Sequence, residues 1–167
     1  MLVNGKPTRS IWLGSDSETV EIIDQRKLPF EFSVVELKTL EDTAIAIRDM
    51  FVRGAPLIGA TAAYGVALAM QENSSDAGLE IAYKTLYATR PTAVNLRWAL
   101  DDLISFLKPM ESSARKSAAY KRAKEICDQD VEMCSSLGEY GQSVIKDIWN
   151  EKGNPDQINI LTHCNAG

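Results

Sequence analysis

The sequence predicts an α+β architecture: a small antiparallel sheet, then a helical bundle, then one further strand at the carboxyl end. Three observations predict it. Short β-branched and aromatic runs, split by turn residues, fill the first 38 residues. From Thr39 the apolar spacing becomes helical. Finally, Ile158-Asn159-Ile160-Leu161-Thr162 is an apolar run bounded by Pro155 and Gly167 and reads as a buried strand. The expected regions are 1–38 (β), 39–152 (helical, with a long connecting helix) and 153–167 (terminal strand).

In the β region, Ser10 to Leu13, Thr19 to Asp24 and Phe32 to Leu37 are the expected strands, forming a small antiparallel sheet or a pair of hairpins. Gly14-Ser15-Asp16 and Leu28-Pro29 separate them. Thr39 then caps a helix, with Asp42 in its acidic first turn. Leu40, Thr43, Ala44, Ile47, Met50 and Phe51 form its apolar stripe, and Gly54 ends it. Pro56 restarts a helix in its first turn, where a missing N–H does little harm. This second helix, to about Met70, carries Ala and Gly on several sides, so other helices must pack closely around it.

Asn73 to Asp76 is a loop, and another helix runs to about Tyr87. Thr92 is the expected cap of the next helix, in which Leu96, Ala99, Leu100, Leu103 and Leu107 point one way. Pro109 closes that helix. A long, mostly polar helix is expected from Ser112 to Asn150, with Gly138 or Gly141 as points of interruption. Glu151 to Pro155 is a hinge-like turn. A strand needs a neighbour for its backbone groups, so the final run reads as the threshold of a further domain.

A net charge of −5 argues against a nucleic-acid-binding module. No window approaches the roughly 20 apolar residues that span a bilayer. Met1 to Gly5 carries no charged n-region or signal-peptide apolar block. The three cysteines, Cys127, Cys134 and Cys164, make no disulfide framework, so a reducing, cytoplasmic setting is expected. Cys127 and Cys134 are expected to pack as small apolar groups on one helix face. No zinc ligand set is present, and no Gly-rich nucleotide fingerprint; neither metal nor cofactor is expected.

Three segments can carry chemistry. Arg53-Gly54-Ala55-Pro56 puts a guanidinium beside the free N–H groups and partial positive charge of a helix start, a seat for phosphate or carboxylate. Arg90 precedes another helix start, with Asn95 one turn inside. Two such sites in one small domain suggest a shared anion. An ordinary inter-helix turn with a solvent-facing Arg gives each pattern alone, and is the commoner origin. Thr162-His163-Cys164-Asn165 offers a thiol. At an ordinary pKa of about 8.5 it is mostly protonated near neutrality. A buried Cys ending a core strand accounts for that segment equally well. His163 and Cys164 fall on opposite strand faces, which argues against a simple catalytic pair.

Together these segments resemble the methylthioribose-1-phosphate isomerase family, in a superfamily with the regulatory subunits of initiation factor 2B and the ribose-1,5-bisphosphate isomerases. The matching stretches are Met50 to Gly59, Ala62 to Gly65, Thr89 to Leu96 and Ile160 to Gly167, and the resemblance spans essentially the whole chain. It implies substrate contacts by Arg53, Gly54, Ala55 and Arg90. Cys164 would be the active-site cysteine that stabilises the transition state, and a catalytic aspartate would lie beyond residue 167. The terminal strand would begin a Rossmann-like domain, the protein would be a cytoplasmic homodimer, and the partner of this chain would be the remainder of its own polypeptide. By itself the chain would be inactive. The alternatives are a ribose-1,5-bisphosphate isomerase and a scaffolding initiation factor 2B-like subunit. Both arginines and Cys164 favour an enzyme.

Overall fold

The computed structural model describes residues 2–162. The chain opens with a hairpin of two very short strands, β1 (Leu2–Val3) and β2 (Lys6–Pro7), which the sequence reading did not anticipate. A three-stranded antiparallel sheet follows, ordered β3 (Ile11–Leu13), β4 (Val20–Ile23) and β5 (Val34–Leu37). Cross-strand partners Ile11 with Ile22 and Val20 with Leu37 bury all four side chains. The β3–β4 turn closes on Asp16, whose carboxylate accepts from the Glu18 and Thr19 amides, both at 2.9 Å, and from the Thr19 hydroxyl at 2.6 Å. The Thr19 hydroxyl, with these amides, lowers the pKa of Asp16 to about 2.

Helix α1 (Leu40–Arg48) begins with a complete capping box: the Thr39 hydroxyl accepts from the Asp42 amide, and the Asp42 carboxylate from the Thr39 amide. It ends earlier than its apolar stripe suggested. The Phe51 amide turns back to the Ala46 carbonyl at 2.9 Å, and Met50 takes a left-handed φ of 61°. Met50 and Phe51 therefore belong to the following turn.

Helix α2 (Ala55–Glu72) is buried at every position from Ile58 to Met70. Its small residues let α1, α3 (Asp76–Thr89) and α4 (Val94–Leu107) pack against it. A Cβ on Gly65 would come within 2.7 Å of Thr43 Cγ2, so α1 approaches α2 there as closely as hydrogen permits. Helix α4 buries Leu96, Ala99, Leu100, Leu103 and Leu107, the stripe read from its sequence.

Helix α5 (Ser112–Glu151) is continuous, and neither Gly138 nor Gly141 interrupts it. Glycine costs a helix interior only about 1 kcal/mol, too little to break one this long. The chain forms two compact units, one ending at Ile126 and one beginning at Cys127. Cys127 is buried, but Cys134 is exposed and does not pack as expected. They are seven residues apart, about two turns, yet the apolar cover reaches only the first.

Of the terminal strand expected within 153–167, only the part to residue 162 lies among the described residues. The segment is irregular, with Leu161 98% exposed. No helix of the described residues is long and apolar enough to cross a membrane.

Candidate functional site: two helix starts with free donors

The four helices α1 to α4 do not begin alike. The α1 start carries its capping box and two acidic residues, and the α3 start is capped by Ser75 with Asp76 behind it. The starts of α2 and α4 have no side-chain cap bond and no acidic residue in the first turn. Their unsatisfied amides and partial positive charge are left for another acceptor. These are the two helices that Arg53 and Arg90 precede.

Gly54 is the N-cap of α2, with φ 85° and ψ 134°. A side chain is strained at this φ, which explains the glycine. Nothing lies within 4 Å of the position its Cβ would take, so the cap is open on that side. Ala55 and Pro56 are exposed. Arg53 is half-buried, and its Nε is buried without a hydrogen-bond partner among the described residues. Orphaned buried donors are rare because each forfeits its solvation. Here the orphan belongs to a cation beside a helix start.

Arg90 ends α3 and is half-buried; its carbonyl accepts from the Ala93 amide at 2.9 Å. That turn shifts the α4 start by one residue. The N-cap is Ala93, not Thr92 as the sequence suggested, and Thr92 is exposed in the turn. An alanine at this position gives the first amides no side-chain acceptor.

The two starts touch. A Cβ on Gly59, the fifth residue of α2, would lie 3.0 Å from the carbonyl oxygen of Asn95, the second residue of α4. Gly59 thus lets the first turns of α2 and α4 pack backbone to backbone. Sequence reasoning singled out Asn95 but did not foresee this approach. Cys164, with His163 and Asn165, lies outside the described residues.

Gly59→Val should force the two first turns apart. Overpacking of this kind typically costs about 1–3 kcal/mol. The urea midpoint is expected to fall accordingly, whereas Gly138→Ala, with nothing within 4 Å, should leave it equal or higher.

A second contact missed in sequence braces the Arg53 turn from behind. The Arg26 guanidinium carbon lies 3.3 Å from the centre of the Phe51 ring. Asp24, buried to 1% exposure, holds the same guanidinium through bonds of 2.9 Å at Nε and 2.7 Å at Nη2. The bonded guanidinium keeps the Asp24 carboxyl below its ordinary pKa, against the opposing effect of burial.

The fold is an α+β domain in which two neighbouring helix starts, each preceded by an arginine, lack a side-chain cap. The initiation factor 2 subunit family matches residues 51–167, and the chain belongs to that family. It is 59% identical to a methylthioribose-1-phosphate isomerase of Paramagnetospirillum magneticum, covering 100% of this chain and 46% of the relative. Against the enzyme of the same name from Escherichia coli the identity is 52%, covering 100% of this chain and 45% of that one. The chain therefore spans about half the length of the curated relatives it matches. The crystal structure of 5-methylthioribose 1-phosphate isomerase from Pyrococcus horikoshii superposes with a TM-score of 0.76 at 37% identity, covering 83% of this chain and 41% of that one. The delta subunit of translation initiation factor eIF-2B from A. fulgidus gives 0.68 at 35% identity, covering 75% and 38%.

Proposed function

We propose that this chain is the substrate-gripping part of an isomerase that converts 5-methylthioribose 1-phosphate into 5-methylthioribulose 1-phosphate. The observation that carries the reading is the orphaned Nε of Arg53 beside the uncapped, acid-free start of α2. A sugar phosphate supplies the missing acceptor. The names of the relatives supply the sugar.

In this reaction the ring opens and the hydrogen on C2 moves to C1. The C1 bond to the ring oxygen breaks, and that oxygen gains the proton the C2 hydroxyl gives up. The molecular formula is unchanged, so no external oxidant is required. Arg53, Arg90 and the amides at Ala55 and Leu57 hold the phosphate, and Gly54 lets the backbone come close. The reading assigns Cys164 to the reacting end, as a thiol that stabilises the oxygen on which charge develops. An acid–base carboxylate would come from the rest of the polypeptide.

That rest is the expected partner of this chain. Leu137, Tyr140 and Val144, on one face of α5, are 74%, 78% and 59% exposed, an apolar surface that supports packing against further protein. The reading also takes the working protein as a cytoplasmic homodimer. The net charge of −5 supports the lack of a nucleic-acid partner.

The likeness to the eIF-2B subunit favours a second reading, a scaffold without catalysis. A scaffold has no use for a buried guanidinium Nε left without an acceptor beside an uncapped helix start. The test is a coupled assay of the full-length protein on 5-methylthioribose 1-phosphate. Turnover is expected, with loss of about 10² or more on Cys164→Ala, the usual scale for a group that stabilises developing charge. A pure, folded parent that leaves the substrate unchanged would favour the scaffold.

A further inference from the structure

The turn that presents Arg53 is held from two sides, by the end of α1 and by the segment after β4. Met50 takes φ 61°, a region that bulky residues avoid and occupy only where surrounding contacts fix them. At the end of α1 the Phe51 amide donates to the Ala46 carbonyl at 2.9 Å, and further contacts come from the segment after β4. The Gln25 amide donates to the Phe51 carbonyl at 2.9 Å. The Arg26 guanidinium carbon lies over the Phe51 ring, 3.3 Å from its centre. The Asp24 amide donates to the Ser33 carbonyl at 2.9 Å, which ties this segment to the approach to β5.

One feature of this brace is costly unless it serves something. Asp24 is a carboxylate at 1% exposure, and its listener is a guanidinium whose side chain is 41% exposed. A buried charge is retained where it is paired and hydrogen-bonded. Both Asp24 oxygens face Arg26, and Oδ1 also accepts from the Arg26 amide at 3.1 Å. The pair fixes the plane of the guanidinium, and that plane is what meets Phe51. Only arginine can offer a two-point fork to a carboxylate and a flat face to a ring at once.

We propose that Arg26 is a positioning residue for the anion seat: locked by Asp24, its guanidinium clamps Phe51 and thereby holds the Arg53–Gly54 turn in its receiving geometry. This rests on the reading of that turn as the phosphate seat. Arg26 acts through Phe51, two residues before Arg53, and touches no reacting atom. Lysine keeps the charge but loses both the fork and the flat face, so it should not restore function.

The test uses the full-length protein with Arg26→Ala, Arg26→Lys and, as a surface control, Lys84→Ala. Hydrogen exchange of the peptide covering residues 50–56 reads the turn directly, without substrate. KM and kcat on 5-methylthioribose 1-phosphate read its use. Arg26→Ala is expected to speed exchange in that peptide at least fivefold and to raise KM about tenfold, short of the roughly 10²-fold that a 1 Å misplacement can cost. The kcat should stay within about threefold, since the bound geometry is recovered once phosphate is seated. Arg26→Lys should follow Arg26→Ala, and Lys84→Ala should change neither. A brace that only stabilises the fold would lower the thermal midpoint and leave KM of the folded enzyme alone; that result overturns the proposal, as does unchanged exchange. If the parent does not turn over the sugar phosphate, the substrate reading fails. Inorganic phosphate then replaces it as the probe: weaker binding in Arg26→Ala sustains the positioning role, and equal binding overturns it.

Discussion

Arg53→Ala in the full-length protein is expected to lower kcat/KM for 5-methylthioribose 1-phosphate by about 10²-fold or more. A hydrogen bond to a charged group contributes about 1.5–3 kcal/mol. A guanidinium gripping a phosphate makes two such bonds in its usual forked geometry, and about 1.4 kcal/mol corresponds to a factor of ten. The Nε already sits buried and unpartnered, so the bond it gains on binding displaces no protein partner among the described residues. The loss should fall mainly on KM, because phosphate is gripped in substrate and transition state alike. Arg90→Ala should act in the same direction, and Arg53→Lys should recover part of the loss by restoring charge without the fork. Steady-state kinetics decide the matter. A change of less than about threefold on Arg53→Ala would mean that phosphate sits elsewhere, since even one such bond exceeds that.

The second large effect is on stability. Arg115 is 4% exposed near the start of α5 and gathers backbone carbonyls around the end of α4 and before α3. Its Nε reaches the Leu107 and Met110 carbonyls at 3.2 Å and 3.1 Å. Nη1 donates to Ser74 at 3.0 Å and Nη2 to Lys108 at 3.2 Å. The last carbonyls of α4 and the loop before α3 are thus satisfied by one side chain. Its ion pair with Asp76 adds little, because that carboxylate is 81% exposed. Arg115→Ala removes all four bonds to backbone carbonyls and opens a void. The expected loss is about 3 kcal/mol, taking roughly 1 kcal/mol net for each bond and allowing for water at some of them. At about 2–4 °C per kcal/mol for a domain of this size, the thermal midpoint should drop by roughly 6–12 °C. Arg115→Lys should rescue little, as one ammonium cannot span four acceptors. A calorimetric shift under about 2 °C would show that water replaces the clamp.

The helices were legible because each writes its own period. The stripe of α4 and the cap of α1 lie within a few residues of chain, where spacing and hydrogen-bonding chemistry decide the outcome. Strands β3 to β5 were legible from their branched runs. The hairpin of β1 and β2 was not, since two residues hold no alternation to read. The terminal strand expected within 153–167 extends past the described residues, and apolar spelling there records a preference whose outcome depends on a pairing partner. Thr92 has the right chemistry for a cap, but the Arg90–Ala93 turn placed the helix start one residue beyond it.

The candidate site divides in the same way. Arg53, Gly54 and Arg90 stood out because Gly and Pro punctuate the chain beside them. What joins and braces them did not. The approach of Gly59 to Asn95 spans 36 residues of chain, and that of Arg26 to Phe51 spans 25, separations at which no local rule operates. Asp24 and Arg26 look like an ordinary polar pair until the fold lays Phe51 beneath them.

The contact at Gly59 has a consequence for how such proteins diverge. Position 59 answers to a neighbouring backbone, and under the proposed function positions 53 and 90 answer to a ligand, so the two should drift on separate clocks. Among chains that share this packing but have changed or lost their substrate, the arginines are free to be replaced, while the glycine should persist as long as the two helices stay joined. A relative with glycine at 59 and no arginine at 53 would be a retired site in an intact frame, and could be recognised as such before any assay is run.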